Sequence, residues 1–203
     1  MTERNIWTGY ARFWRKQKAM SFDSKSYRQT VGRFLTGVTV IAFETETGVQ
    51  AMTANSFTSL SLDPPLLLFC PAKTTRTGQL IHRASAFSVN ILREDQQALS
   101  TFFAGSWKEP NEPPYHFVPL EGAPRLEGCL ASMACTVNQI YEGGDHWIVI
   151  GKVIALHQGI EPVRPLAFYL GRYTNLQPMS SSPAPDLYDV PEATPVHYHY
   201  ESY

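Results

Sequence analysis

From Val38 onward the chain reads as a series of short β-type runs closed by tight polar turns, a pattern that limits its possible folds more than any other feature of the sequence. Val38-Thr-Val-Ile-Ala-Phe43 and Val49-Gln-Ala-Met-Thr53 flank the turn Glu44-Thr-Glu-Thr-Gly48, which predicts a hairpin. Leu66-Leu-Leu-Phe-Cys70 is apolar throughout, the pattern of a strand covered on both faces, while Ala86 to Ile91 alternates. Further strands are expected from Ala131 to Tyr141, from Trp147 to His157 across the turn Gly143-Gly-Asp-His146, and from Leu166 to Leu170. Helical signals are few. Asp23 or Ser24 can cap a helix in which Tyr27, Val31 and Phe34 or Leu35 recur until Gly37. A second spans Thr74 to Ala84, and a third runs from Glu94 or Asp95 through Phe103 to Gly105. No strand–helix–strand repeat occurs, so a mainly β fold with peripheral helices, an antiparallel barrel, fits better than a parallel sheet.

At 203 residues the default is one domain, and 43% hydrophobic with 17% charged residues is the balance of a folded soluble chain. A net charge of -1 offers nucleic acid or an anionic membrane no global attraction, so any ligand must be recognised locally. Cys70, Cys129 and Cys135 form an odd set in apolar surroundings, which reads as buried core in a reducing cytoplasm. Cys129 and Cys135 are six apart on a strand-like run and are expected to share a face. No signal-peptide core or membrane-length apolar run is present.

Three segments follow. Residues 1–22 are an aromatic and basic N-terminal extension, expected to form a short helix packed on a neighbour. Residues 23–176 are the domain, interrupted by the Pro-rich loop Glu109-Pro-Asn-Glu-Pro-Pro114. Residues 177–203 are a Pro-rich, extended C-terminal tail. His197-Tyr-His199 in that tail lacks the carboxylates or thiolates of a metal site, and none is expected.

Chemistry concentrates between Ala51 and Pro65. Thr53, Asn55, Ser56, Thr58, Ser59 and Ser61 supply many hydrogen-bonding groups with no charge before Asp63, which suits the lining of a planar, phosphorylated ligand. Thr74, Thr75, Arg76 and Thr77 read equally as phosphate donors or as a helix cap with a surface arginine. His146 is either a polar turn residue or a ligand-facing one. Neither a dinucleotide glycine fingerprint nor a phosphate-binding loop is present.

The order Phe34-Leu-Thr-Gly-Val-Thr-Val40, Met52-Thr-Ala-Asn-Ser-Phe-Thr-Ser59 with Ser61 and Pro64-Pro65, Ser88-Val-Asn90, Gly144-Asp-His146 and Gly171-Arg-Tyr173 resembles the flavin reductase-like family. Within it, the chain is similar to reductase components of two-component flavin-dependent monooxygenases. The resemblance implies an FMN-binding split β-barrel of Greek-key antiparallel strands, usually a homodimer. It would use NADH or NADPH to reduce FMN or FAD and release the product to an oxygenase. It also implies that Thr53, Ala54, Asn55 and Ser56, with Thr39, Ser59 and Ser61 close by, contact the flavin. Thr75, Arg76 and Thr77 would lie near the phosphate and His146 near the nicotinamide, where it orients the ring without acting as acid or base. Tyr169, Arg172 and Tyr173 would help close that side. The family commonly has Gly where Ala51 stands, and a positive φ there would strain an alanine. Two other readings keep the flavin: a tightly bound prosthetic group serving a dedicated redox step, or a non-catalytic flavin-binding partner module.

Overall fold

The computed structural model describes residues 22–159 and 164–176. The expected N-terminal helix and the Pro-rich tail lie outside the described residues.

Twelve strands dominate the described residues: β1 (Thr36–Gly37), β2 (Thr39–Thr45), β3 (Gly48–Ala54), β4 (Phe57–Leu62), β5 (Pro65–Phe69), β6 (Ala86–Ile91), β7 (Phe117–Leu120), β8 (Ala123–Leu126), β9 (Ala131–Gly143), β10 (His146–Gln158), β11 (Ala167–Tyr169) and β12 (Arg172–Thr174). Helices α1 (Ser24–Val31), α2 (Arg76–Leu80) and α3 (Gln97–Phe103) sit around them. The main sheet has the order β3-β2-β6-β9-β10-β5-β4, and every pairing in it is antiparallel.

The two outermost strands of that sheet, β3 and β4, are consecutive in sequence and separated only by Asn55 and Ser56. Three Cα steps span at most about 11 Å. The sheet must therefore bend until its edges approach at this point, leaving a split between them. The expected mainly β, antiparallel architecture is thus present, with its edges near each other and not hydrogen-bonded into a closed ring.

Two apolar cores explain the bend. Ile41, Phe43, Leu67, Phe69, Phe87 and Val149 belong to one, and Val38, Val40, Leu92, Leu126 and Leu166 to the other. Alternate residues of β2 enter different cores, so β2 is the strand covered on both faces. β5, for which that role was expected, buries Leu67 and Phe69 but leaves Leu66 and Leu68 half-buried. A buried polar clasp fixes β8 to this centre: Asn90 Nδ2 donates to the Val40 carbonyl (3.0 Å) and to Ser88 Oγ (2.8 Å), and Asn90 Oδ1 accepts from Leu126 N (2.9 Å).

Several local expectations change. Helix α1 starts at its expected cap, with Asp23 Oδ1 accepting from Ser26 N (2.7 Å), but stops at Val31 rather than near Gly37. Leu170 N donates to the Gly32 carbonyl (2.8 Å), and pairing of β1 with β11 pulls the chain away. Phe34 and Leu35 are left exposed beyond the helix. Much of the polar run from Thr53 to Ser61 is strand: β4 pairs with β5 through a register shift between Ser59 and Ser61. Cys129 precedes β9 and enters the second core, whereas Cys135 enters the first, so the two do not share a face. Burial pushes each thiol up to about 12. Ala51 pairs with Ala42 in regular β3 and has no positive φ, so alanine is accommodated there without strain.

Candidate functional site

Asn55 stands at the split between β3 and β4 and lines two adjoining clefts. One, of about 180 Å³, is also bounded by Val38, Thr53, Ser100, Ala104, Phe168 and Tyr173. The other, of about 320 Å³, is bounded by Phe34, Leu35, Thr36, Gly37, Thr39, Phe57 and Ile91 in addition to Val38 and Asn55. The Asn55 side chain is exposed and makes no side-chain hydrogen bond to another described residue. Its neighbours are fixed. Thr53 Oγ1 donates to the Ser100 carbonyl (2.6 Å), Ser100 Oγ meets Tyr173 Oη (2.8 Å), and buried Thr39 Oγ1 donates to the Ala54 carbonyl (2.7 Å). Ser56 Oγ donates to the Cys70 carbonyl (3.2 Å) and accepts from Cys70 N (3.1 Å), tying the start of β4 to the end of β5.

The second group of candidates gathers where residues 71–73 meet the turn before β10. Trp147 N donates to the Pro71 carbonyl (2.9 Å), and Lys73 N donates to the Asp145 carbonyl (2.9 Å). His146 bridges to Ala72, and Lys73 Nζ sits 4.4 Å over the Trp147 ring. These contacts bring His146 beside the start of α2. Its Nδ1 is 2.7 Å from Asp145 Oδ1, and that hydrogen bond, aided by the imidazole charge, holds the Asp145 carboxyl below the usual range. In α2, the Thr75 hydroxyl is engaged as a cap, accepting from Gly78 N (3.1 Å) and donating to the Ala72 carbonyl (2.8 Å). Thr77 is buried, and its hydroxyl takes a hydrogen bond from Gln50 Nε2 (3.2 Å). Arg76 alone of the three extends an exposed charge, its Nη2 donating to Thr47 Oγ1 (3.3 Å).

Ser59 and Ser61 lie on β4 opposite Leu67 and Leu66. Tyr169 and Arg172 face each other across the Leu170-Gly171 turn, whose two residues both have positive φ, and Tyr173 reaches back to Ser100. Tyr173 therefore belongs to the Thr53 side of the site. Two residues escaped the sequence reading. Ser100 is fully buried on α3 and organises both Thr53 and Tyr173. Thr36, a residue of the larger cleft's wall, has a buried Oγ1 with no hydrogen-bond partner.

A split antiparallel sheet with hydroxyl and amide groups at its open seam has a direct counterpart among known proteins. The model of the flavin reductase like domain matches residues 31–177. The chain belongs to the flavin reductase-like family. It is 38% identical over 173 residues, 82% of this chain and 85% of the other, to the reductase subunit HsaB of a flavin-dependent monooxygenase from Rhodococcus jostii. The flavin reductase-like fold is shared with a nitrilotriacetate monooxygenase component B homologue from Mycobacterium thermoresistibile, at TM-score 0.72 and 40% identity over 83% of this chain and 95% of that one. An NADH:FAD oxidoreductase from Streptomyces globisporus, solved with NAD and FAD fragments, superposes with TM-score 0.69 at 33% identity, covering 77% of this chain and 94% of that one. The residues at the seam fit a flavin. The free Asn55 amide is a polar group at the wall of a largely apolar cleft, as an aromatic ring with polar edges requires, and Thr36, another residue of that wall, has a buried Oγ1 with no hydrogen-bond partner.

Proposed function

We propose that this chain is an NAD(P)H:flavin oxidoreductase that transfers hydride from NADH or NADPH to FMN or FAD and supplies the reduced flavin to a separate oxygenase. The observation that carries the reading is Asn55, an uncommitted amide between two clefts, on a backbone that Thr39, Thr53 and Ser56 hold in place. The flavin itself supplies the hydride acceptor, so the protein needs to contribute position and polarity, without a nucleophile or general base. Asn55, with the backbone around Ala54 and Ser56, hydrogen-bonds the polar edge of the ring, where donors favour the negative charge that builds on reduction. Tyr173, fixed by Ser100, bounds the cleft on the other side.

His146 keeps Nδ1 on Asp145 and leaves Nε2 to orient the nicotinamide. Thr75 and Arg76 lie toward the phosphate, while Thr77 acts through the packing of α2 against Gln50. Ser59 and Ser61 border the flavin from β4, and Tyr169 and Arg172 shield the edge near Tyr173. The relatives favour the diffusible-flavin form of this activity: HsaB is a reductase subunit of a flavin-dependent monooxygenase. A homodimer is part of the same reading, as is a cytoplasmic setting. No helix among the described residues is long and apolar enough to cross a membrane.

A steady-state assay crossing NADH and NADPH with FMN, FAD and riboflavin tests the proposal. Oxidation of the nicotinamide should accelerate with added flavin and continue through many turnovers. Oxidation that stops after one equivalent per protein, whatever flavin is added, would sink it.

A further inference from the structure

Helix α1 stands apart from both apolar cores, and none of its residues is buried. Its tie to the rest of the fold is at its far end, where Leu170 N donates to the Gly32 carbonyl (2.8 Å). The outer surface of the helix is apolar on one side and basic on the next. Phe22 and Tyr27 stack with ring centroids 5.8 Å apart, and with Ser26 and Thr30 they bound a hollow of about 230 Å³. Val31 continues this face one helical turn beyond Tyr27, and Phe22, Tyr27 and Val31 are all more than half exposed. Lys25 and Arg28 border it, both exposed and, among the described residues, in no ion pair.

An apolar face edged by cations selects an acidic, apolar occupant. A second copy of α1 would set the same cations against each other. Residues 1–21 carry Arg4, Arg12, Arg15, Lys16 and Lys18 against the single acid Glu3, so their charge is repelled by Lys25, Arg28 and Arg33. Residues 177–203 carry Asp186, Asp189, Glu192 and Glu201 with neither lysine nor arginine. Within them, Pro185-Asp-Leu-Tyr-Asp-Val-Pro191 sets Leu187, Tyr188 and Val190 among carboxylates, the complement of α1 in both charge and hydrophobicity. Its two prolines restrict φ, which lowers the entropy lost on docking. Reach is not limiting: α1 is about 12 Å long, Leu170 adjoins its end, and the stretch from Leu170 to Asp186 extends over as much as about 50 Å.

We propose that residues 185–191 of this chain dock on the outer face of its own α1, with Leu187 and Tyr188 against the hollow at Phe22 and Tyr27 and with Asp186 and Asp189 paired to Lys25 and Arg28. Helix α1 leads into Phe34, Leu35, Thr36 and Gly37 on the wall of the larger cleft, so the docked segment steadies an element that continues into the candidate site.

Amide hydrogen exchange across residues 24–31, measured on the full chain, tests the docking. In the double variant Asp186→Lys with Asp189→Lys, exchange in α1 should be roughly tenfold faster than in wild type, the sum of two exposed ion pairs. The double variant Lys25→Glu with Arg28→Glu should show the same acceleration, and combining all four substitutions should restore slow exchange by reversing both charges together. Molar salt should speed exchange in wild type and leave the tail variant unchanged. The tail substitutions alter no residue of the two cores, so their effect on α1 is not one of misfolding. Exchange in α1 that is the same in the tail variant as in wild type overturns the proposal, as would be found if residues 1–21 covered the helix. Protection of α1 that rises with protein concentration and ignores the tail charges also overturns it, in favour of a second copy.

Discussion

Asn55 and Asn90 are the same residue type in opposite circumstances. Asn90 is fully buried and spends its amide on Val40, Ser88 and Leu126, whereas Asn55 is exposed and bonds no described side chain or backbone group. Asn55→Ala should therefore raise the KM for flavin roughly tenfold while leaving the thermal midpoint unmoved. A fall in midpoint with unchanged KM would make Asn55 a structural residue. Asp145 offers a second check. His146 lowers its pKa by hydrogen bonding and then by charge, so the stabilisation it lends the turn is present above the ordinary carboxylate pKa and is lost as pH falls through the lowered folded value. In His146→Gln the Asp145 carboxyl, followed by NMR, should titrate closer to the ordinary value than it does in wild type; an unchanged titration would remove His146 as the cause. Thr53 and Asn55 stand out in the sequence as candidates because hydroxyls and amides crowd one short run. Ser100 and Thr36 do not: Thr36 is a single hydroxyl among Phe34, Leu35, Gly37 and Val38, and Ser100 stands beside Thr101 with nothing local to distinguish it, gaining meaning only from partners 47 and 73 positions away.

Elements with strong alternation and a clear turn were readable from the sequence, as the β2–β3 and β9–β10 hairpins demonstrate. The β7–β8 hairpin was not anticipated. Pro119 and Pro124 depress its strand character, yet the two prolines face each other in a two-stranded ribbon that tolerates their missing N–H groups. The length of α1 was overestimated because helical spacing of Phe34 and Leu35 cannot reveal that β11 captures the chain at Thr36. For α2 the decisive feature is Gly78, where an added Cβ would collide with the Ala72 carbonyl and lie 3.2 Å from Lys73 Cα. Gly78→Ala should push α2 off residues 71–73, lower stability by roughly 1–3 kcal/mol in urea unfolding, and raise the KM for the nicotinamide through His146. An unaltered midpoint would mean that this segment yields freely.

For the molecule as a whole, the fold class was evident from its strand pattern, whereas the relation of the two sheet edges was not. Apolar side chains remain on the outside of the single chain: Leu62 is 95% exposed, Phe34 75% and Leu156 67%. Such surface is more than isolated exposed leucines require and suits the proposed homodimer. Light scattering should give twice the 22.8 kDa chain mass, and Leu62→Glu should shift the population toward monomer; a wild-type monomer at micromolar concentration would refute it. The seam has an energetic consequence as well. Where β3 and β4 approach without sharing a ladder, a molecule that touches both becomes the missing rung, and its binding free energy is added to the resistance of the rim against opening. At a ligand concentration one hundred times Kd that contribution is about 2.7 kcal/mol. Release of the product then loosens the rim again, so each catalytic cycle would alternately fasten and unfasten the edge of the sheet while the two cores stay packed.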